Sequence, residues 1–90
     1  MRSMKKSDFM RLEFIGLEVE VVASNHPGYR KVKGVVVDET KNTLTISTVT
    51  KEVIVPKPGN EFQFTYESDR ITVNGSEIQH RPEDRIKKIR

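Results

Sequence analysis

The 90-residue sequence contains no cysteine and no tryptophan, and it has only two histidines. Without cysteine, the chain can form neither a disulfide nor a thiolate metal site. No apolar run approaches the roughly 20 residues that a membrane-spanning helix needs. The basic start MRSMKKSDFMR lacks the apolar stretch of a signal peptide. These absences predict a single small cytoplasmic domain that does not contact a membrane.

The residues that usually carry catalysis are also scarce. His26 and His80 have no neighbour at a metal-ligand spacing, and the chain has no Ser–His–Asp arrangement and no glycine-rich phosphate loop. Two adjacent carboxylate pairs, Asp38–Glu39 and Glu83–Asp84, are the remaining candidates for Mg²⁺. The first pair falls on opposite faces of a strand, and the second suits a helix start. We therefore expect no catalytic residue, metal site or cofactor in this chain.

Short stretches of alternating apolar and polar residues, separated by turn signals, predict a mainly β fold. Alternation at Phe62, Phe64 and Tyr66 indicates one inward, core-facing side of a strand. The valine run at 35–37 suits a buried strand, and the turn after it carries Asp38, Glu39, Lys41 and Asn42. The predicted strands are 17–22, 31–38, 43–49, 52–55, 61–67 and 70–73, with 76–80 joined to the last of these by an Asn74-Gly75 hairpin turn. We expect a small antiparallel Sm-like or SH3-like barrel over residues 17–80, flanked by short terminal helices.

Positive charge is concentrated at the two ends. Residues 1–11 and 81–90 each carry a net charge of +3, whereas residues 12–80 carry −3. Basic ends are typical of proteins that bind polyanions, because phosphate contacts release condensed counterions, although charged ends also serve solubility. Pro82 is a favoured first residue of a helix, which predicts a basic C-terminal helix over 81–90. Its cations can stabilise that helix, contact a polyanion, or both.

The N-terminal segment, residues 1–16, is predicted to be a basic extension with a short helix. Asp8 is a candidate cap, Phe9 and Leu12 share one helical face, and Phe14 and Ile15 continue the apolar character. About seven residues cannot hold a helix alone in water. The segment therefore needs a surface to pack on, which is either its own barrel or a partner.

Three blocks of sequence carry a family resemblance. They are FIGLEVEVV at 14–22, VVVDETKNTLTI at 35–46 and RPEDRIKK at 81–88. In this order they closely resemble the archaeal ribonuclease P protein component 1 family, over roughly residues 14–88. The resemblance implies an Sm-like barrel that serves as a non-catalytic, RNA-binding subunit of ribonuclease P. That endonuclease removes 5′ leaders from pre-tRNA, and its RNA is expected to perform the hydrolysis.

The resemblance also implies partners and sites. The expected partners are ribonuclease P RNA, pre-tRNA indirectly, a zinc-ribbon protein subunit and other ribonuclease P proteins. Mg²⁺ is expected with the RNA and not on this chain. The predicted RNA contacts are Lys41, Asn42, Arg81, Arg85, Lys87 and Lys88, and the predicted protein interface is Phe9, Leu12, Phe14 and Ile15.

Two departures from the expected patterns stand out. The spacing from Asp38 to Asn42 matches the RNA-binding loop of Sm proteins, but Gly34 precedes Asp38 by four residues where the Sm motif usually has about six. Sm-type uracil recognition is therefore not transferred to Asn42. Family members often have glycine where this chain has Lys31, which predicts a different entry into the second strand.

Two other functional classes are alternatives to the ribonuclease P assignment. A general nucleic-acid-binding barrel, associated with chromatin or the ribosome, would bind duplex DNA and structured RNA equally well. An SH3-type protein-interaction module would need an exposed aromatic groove, and Tyr29 is the main aromatic residue outside the predicted core.

Overall fold

Six antiparallel strands form one sheet in the structure, a computed structural model that describes Phe9 and residues 13–84. The strands are β1 (Glu18–Ser24), β2 (Lys33–Glu39), β3 (Thr43–Ser47), β4 (Glu52–Pro56), β5 (Asn60–Tyr66) and β6 (Asp69–Asn74). Short 3-10 helices follow β1 (Pro27–Tyr29) and β6 (Gly75–Ile78), and residues 82–84 are helical. No helix within the described residues is long and apolar enough to cross a membrane.

The strand order is β4-β3-β2-β1-β5-β6, and every pair of neighbours is antiparallel. The prediction of a mainly β, antiparallel fold is therefore confirmed. β4 and β6 form the two edges, and no strand pairing between them closes the sheet in the described part of the chain. The predicted C-terminal helix begins at Pro82 as expected, and its continuation beyond residue 84 lies outside the described residues.

One face of the sheet encloses the apolar core, to which all six strands contribute. Phe62 and Phe64 point inward as predicted, and Tyr66 packs half-buried against the same core. Phe9 and Phe14 add two more rings, with centroids 5.3 and 4.6 Å from that of Phe64. Such aromatic pairs contribute about 0.5–1.5 kcal/mol each beyond the area that they bury. The aromatic cluster thus joins the N-terminal segment to β5.

The valine run in β2 is only partly buried. Val36 is buried, whereas Val35 and Val37 are exposed, so the expectation of a fully buried run was wrong. Val35 and Val37 lie on the opposite face of the strand from Val36, so the two-residue alternation itself exposes them. The register then shifts between Val36 and Asp38, since Val36 pairs with Ile46 and Asp38 with Thr45. Val37 is the extra residue of this β-bulge, and strict alternation resumes one position late. As a result Glu39, which was expected at the turn tip, faces the interior.

The predicted seventh strand is absent, and a 3-10 helix occupies Gly75–Ile78 instead. Asn74 caps this helix, since its Oδ1 accepts a hydrogen bond from Ser76 N–H at 3.1 Å while its own N–H donates to Glu77 Oε1 at 3.0 Å. Gly75 lies so close to the carbonyl of Lys57 that a Cβ atom would collide with it. The Asn-Gly pair therefore provides a cap and a close backbone approach, and the predicted hairpin was wrong.

Lys31 has a positive φ of 70° at the entry to β2, where its N–H donates to Val21 O at 3.1 Å. Left-handed backbone costs a non-glycine residue roughly 1–2 kcal/mol, which explains why glycine suits this position. The more flexible unfolded chain of a glycine variant offsets about 0.5–1 kcal/mol of that gain.

We expect K31G to be more stable than K31A by about 0.5–1 kcal/mol, because only glycine adopts this backbone conformation without strain. Urea unfolding of the two variants measures the difference. Both remove the same exposed charge, so K31A is the matched control. Equal stability of the two would contradict the strained conformation.

Candidate nucleic-acid interface

The turn between β2 and β3 holds two of the predicted RNA contacts in a defined conformation. Thr40 N–H donates to Thr43 O at 3.0 Å, and Thr43 N–H donates to Thr40 Oγ1 at 3.1 Å. The two threonine hydroxyls are 2.6 Å apart. Lys41 and Asn42 lie between these threonines and are exposed to solvent. The turn thus presents a cation and an amide at the end of the hairpin.

Beneath this turn lies a fully buried ion pair. Lys57, which follows β4, is 0% exposed, and its Nζ is 2.8 Å from Glu39 Oε2. The same Nζ donates to the carbonyl oxygens of Thr40 at 2.7 Å and His80 at 3.0 Å. An ammonium group has three protons, so each of them has an acceptor here. The charge therefore links the end of β2, the β2–β3 turn and the segment that precedes Arg81.

Asn42 provides a second link between the same parts of the chain. Its carbonyl oxygen accepts from Lys57 N–H at 2.6 Å, and its side-chain Oδ1 accepts from Gln79 Nε2 at 2.9 Å. The side-chain oxygen of Asn42 thus already accepts a hydrogen bond, although the residue remains exposed. Asn42 contributes to the geometry of the turn whether or not it also touches RNA.

Lys41 and Arg81 line one shallow groove between the β2–β3 turn and the start of the C-terminal helix. The other residues that line it are Glu39, Thr40, Pro82 and Glu83. Glu39 is buried and paired with Lys57, so its charge is neutralised locally. The exposed charges of the groove are then two cations and Glu83, which gives a positive surface suited to phosphate. We call this surface the basic groove.

The remaining predicted RNA contacts, Arg85, Lys87 and Lys88, lie outside the described residues. Leu12 of the predicted protein interface also lies outside them. Phe9 and Phe14 are each 0% exposed and pack in the core, so these rings are not part of an exposed surface. Of the two alternatives for the N-terminal segment, packing on its own barrel describes both phenylalanines. Ile15 is 43% exposed and remains available to a partner.

The candidate chemical groups are dispersed in the structure. Asp38 is exposed while Glu39 is buried, so the two carboxylates point to opposite faces as expected. Within the described residues no three His, Asp or Glu side chains form a group that could hold a metal ion. Tyr29 is half-buried against the core, with its ring 5.9 Å from that of His26.

Sequence analysis missed Lys57 and Gln79, because neither belongs to a recognisable motif. Lys57 lies in the stretch 56–59 between two predicted strands, where two prolines and a glycine indicate a turn. A surface turn normally exposes its lysines. No local signal in the sequence identifies a buried lysine whose carboxylate partner is 18 residues away.

Comparison with known proteins gives consistent matches across the chain. The family model of the ribonuclease P/MRP subunit p29 matches residues 7–88. Ribonuclease P protein component 1 of Methanosphaera stadtmanae is 44% identical over 79 residues, which cover 87% of this chain and 85% of that relative. The protein of the same name from Thermococcus sibiricus is 47% identical over 85 residues, which cover 94% of this chain and 69% of that relative.

The fold is similar to that of a solved structure. Mth11, described as a homologue of the human RNase P protein Rpp29, aligns with a TM-score of 0.61 and 38% sequence identity. The alignment covers 83% of this chain and 99% of that chain. The matched region contains both the β2–β3 turn and the segment around Arg81 in the family comparison.

We expect K57M to destabilise the protein by about 3–5 kcal/mol, because it leaves the Glu39 carboxylate buried without its cation. The double variant E39M/K57M should regain much of this loss, since two apolar side chains of similar length replace the ion pair. Urea unfolding of both variants measures the free energies of unfolding. A free energy of unfolding of K57M within about 1 kcal/mol of that of the unchanged protein would contradict the buried ion pair.

Proposed function

The chain belongs to the ribonuclease P/MRP p29 family, and we propose that it is a non-catalytic, RNA-binding subunit of ribonuclease P. In this role it assists the catalytic RNA in the endonucleolytic removal of 5′ leaders from pre-tRNA in the cytoplasm. The observation that carries the proposal is the family match over residues 7–88, a region that includes both cations of the basic groove.

The basic groove is the proposed RNA-binding surface. Lys41 and Arg81 would contact phosphates, with Asn42 beside them, and the cations Arg85, Lys87 and Lys88 would extend the contact along the C-terminal segment. Lysine and arginine near phosphates lower the repulsion between RNA strands and release counterions. The RNA would then hold its fold and its pre-tRNA substrate at a lower Mg²⁺ concentration, while the RNA and its bound Mg²⁺ perform the hydrolysis.

A protein partner would bind elsewhere on the chain. We propose that the zinc-ribbon subunit contacts the N-terminal segment, where Ile15 is exposed and Leu12 continues the apolar sequence. The buried Phe9 and Phe14 would hold this segment on the barrel, so that the partner meets a surface that is already formed. Other ribonuclease P proteins would join through the assembled RNA and protein complex.

We expect K41A/R81A to bind an archaeal ribonuclease P RNA more weakly and with a flatter salt dependence. Loss of two phosphate contacts should reduce the slope of log K against log salt concentration by about 1.5. Filter binding at several salt concentrations measures the slope.

The matched control is K33A/R70A, which removes the same charge from a polar cleft on the outer face of β1, β2, β5 and β6. Its slope should change little. Equal flattening by both double variants would show that total charge, and not the basic groove, determines the binding.

Reconstitution tests the function itself. We expect this protein, together with a zinc-ribbon partner, to restore pre-tRNA cleavage by an archaeal ribonuclease P RNA at limiting Mg²⁺. Cleavage at the mature 5′ end is followed on gels with the protein added or withheld, and heat-denatured protein is the control. Absence of rescue, together with equal affinity for duplex DNA, would support the general nucleic-acid-binding barrel instead.

A further inference from the structure

We infer that Lys57 is a positioning residue for RNA binding, which acts with Glu39 and Gln79 to hold Lys41 and Arg81 in one fixed arrangement. We call the contacts of Lys57 Nζ with Glu39, Thr40 and His80, together with the Gln79–Asn42 hydrogen bond, the latch. The inference deepens the proposed function and rests on it, because it concerns how the basic groove is assembled. Lys57, Glu39 and Gln79 need not touch RNA themselves.

The two cations of the groove come from distant parts of the chain. Lys41 lies in the β2–β3 turn, whereas Arg81 follows the 3-10 helix after β6. The latch crosses this separation twice, since Lys57 Nζ bonds to the carbonyl oxygens of both Thr40 and His80, and Gln79 bonds to Asn42 from 37 residues away. Each bonded residue is the immediate neighbour of a groove cation or lies one position further. The latch therefore determines the spacing between the two cations.

Burial makes the principal contact of the latch hard to replace. The side chains of Lys57 and Glu39 are both 0% exposed, and Lys57 Nζ is 2.8 Å from Glu39 Oε2. In this environment water cannot take the place of a lost partner, so the ammonium retains its three acceptors. A groove held in this way requires little ordering when RNA binds, and preorganisation of this kind increases affinity.

Lys57 also determines the electrostatic character of the groove. Glu39 lines the groove from below, and an unpaired carboxylate at that position would oppose the binding of phosphate. Pairing with Lys57 cancels the charge of Glu39 without adding an exposed cation. The test must therefore separate the effect of Lys57 on the placement of the groove cations from its effect on the charge of Glu39. A variant that removes both members of the ion pair leaves the net charge unchanged.

The experiment is a double-mutant cycle on RNA binding by the full chain. E39M/K57M, K41A/R81A and the quadruple variant are compared with the unchanged protein, with an archaeal ribonuclease P RNA as the probe. We expect E39M/K57M to lower the salt slope by about 1 to 1.5 although it alters no exposed charge. In that background K41A/R81A should lower the slope by less than about 0.5, because the two cations no longer act together.

A second core variant controls for loss of stability. V19A creates a cavity in β1, at a residue that pairs with Gly34 near the other end of β2, and it leaves the latch intact. Its RNA affinity and salt slope should match those of the unchanged protein at a temperature where both are folded. An equal reduction in V19A and E39M/K57M would overturn the positioning role.

The outcomes separate the inference from the proposed function. Where K41A/R81A flattens the salt slope and E39M/K57M does not, the groove binds RNA and the positioning role is overturned. Where K41A/R81A itself has no effect, the proposed groove fails and Lys57 positions nothing for RNA. Additive effects in the quadruple variant would also overturn the inference.

A milder variant tests the latch if E39M/K57M lacks a cooperative unfolding transition. Q79A removes the hydrogen bond to Asn42 at a partly exposed position, so the barrel retains its core. We expect Q79A to weaken RNA binding about twofold, and the loss should disappear in the K41A/R81A background. An unchanged affinity, or the same loss in both backgrounds, would overturn the inference.

Discussion

The buried ammonium of Lys57 is the interaction on which the arrangement of the candidate site depends. A charge removed from water costs several kcal/mol unless hydrogen bonds and an opposite charge compensate for it. Here the compensation comes from a carboxylate at the end of β2, a carbonyl in the β2–β3 turn and a carbonyl after the second 3-10 helix. All three acceptors must be in place at once. The ion pair thus favours one arrangement of these segments over looser alternatives, and the basic groove lies on their surface.

The strands with regular alternation were predictable from the sequence. β5 and β3 follow the two-residue period, and Phe62, Phe64, Leu44 and Ile46 are buried as their positions indicate. Alternation and turn signals do not predict the structure where an extra residue in a strand, or a contact with a distant residue, determines it. Val37 looks like any valine of a buried strand, and nothing nearby shows that it is the bulged residue. Likewise, Asn74-Gly75 is a hairpin signal in isolation, whereas in the fold Asn74 caps a 3-10 helix and Gly75 packs against the backbone of Lys57.

The sequence indicates the family of the chain but not the geometry of its candidate site. The residue identities in three sequence blocks indicated the ribonuclease P family, and comparison with known proteins confirmed this membership. The same blocks contain the cations Lys41 and Arg81, but the sequence does not show that these two residues line one groove. Glu39 illustrates the limit most clearly, because it belongs to a recognised block yet was expected at an exposed turn tip. Its burial depends on Lys57, which belongs to none of the three blocks.

The bulge in β2 explains how one strand serves both the core and the groove. Alternation from Val36 without an extra residue would turn Asp38 inward and Glu39 toward solvent. The inserted Val37 reverses these orientations, so that the longer carboxylate reaches Lys57. On the other side of the bulge, Val36 exchanges backbone hydrogen bonds with Gly16 and Leu17, next to the buried Phe14. A one-residue slip in β2 would therefore disrupt the attachment of the N-terminal segment and expose the carboxylate beneath the groove. Both the attachment of the N-terminal segment and the burial of Glu39 therefore depend on the register of β2, and the bulge sets that register.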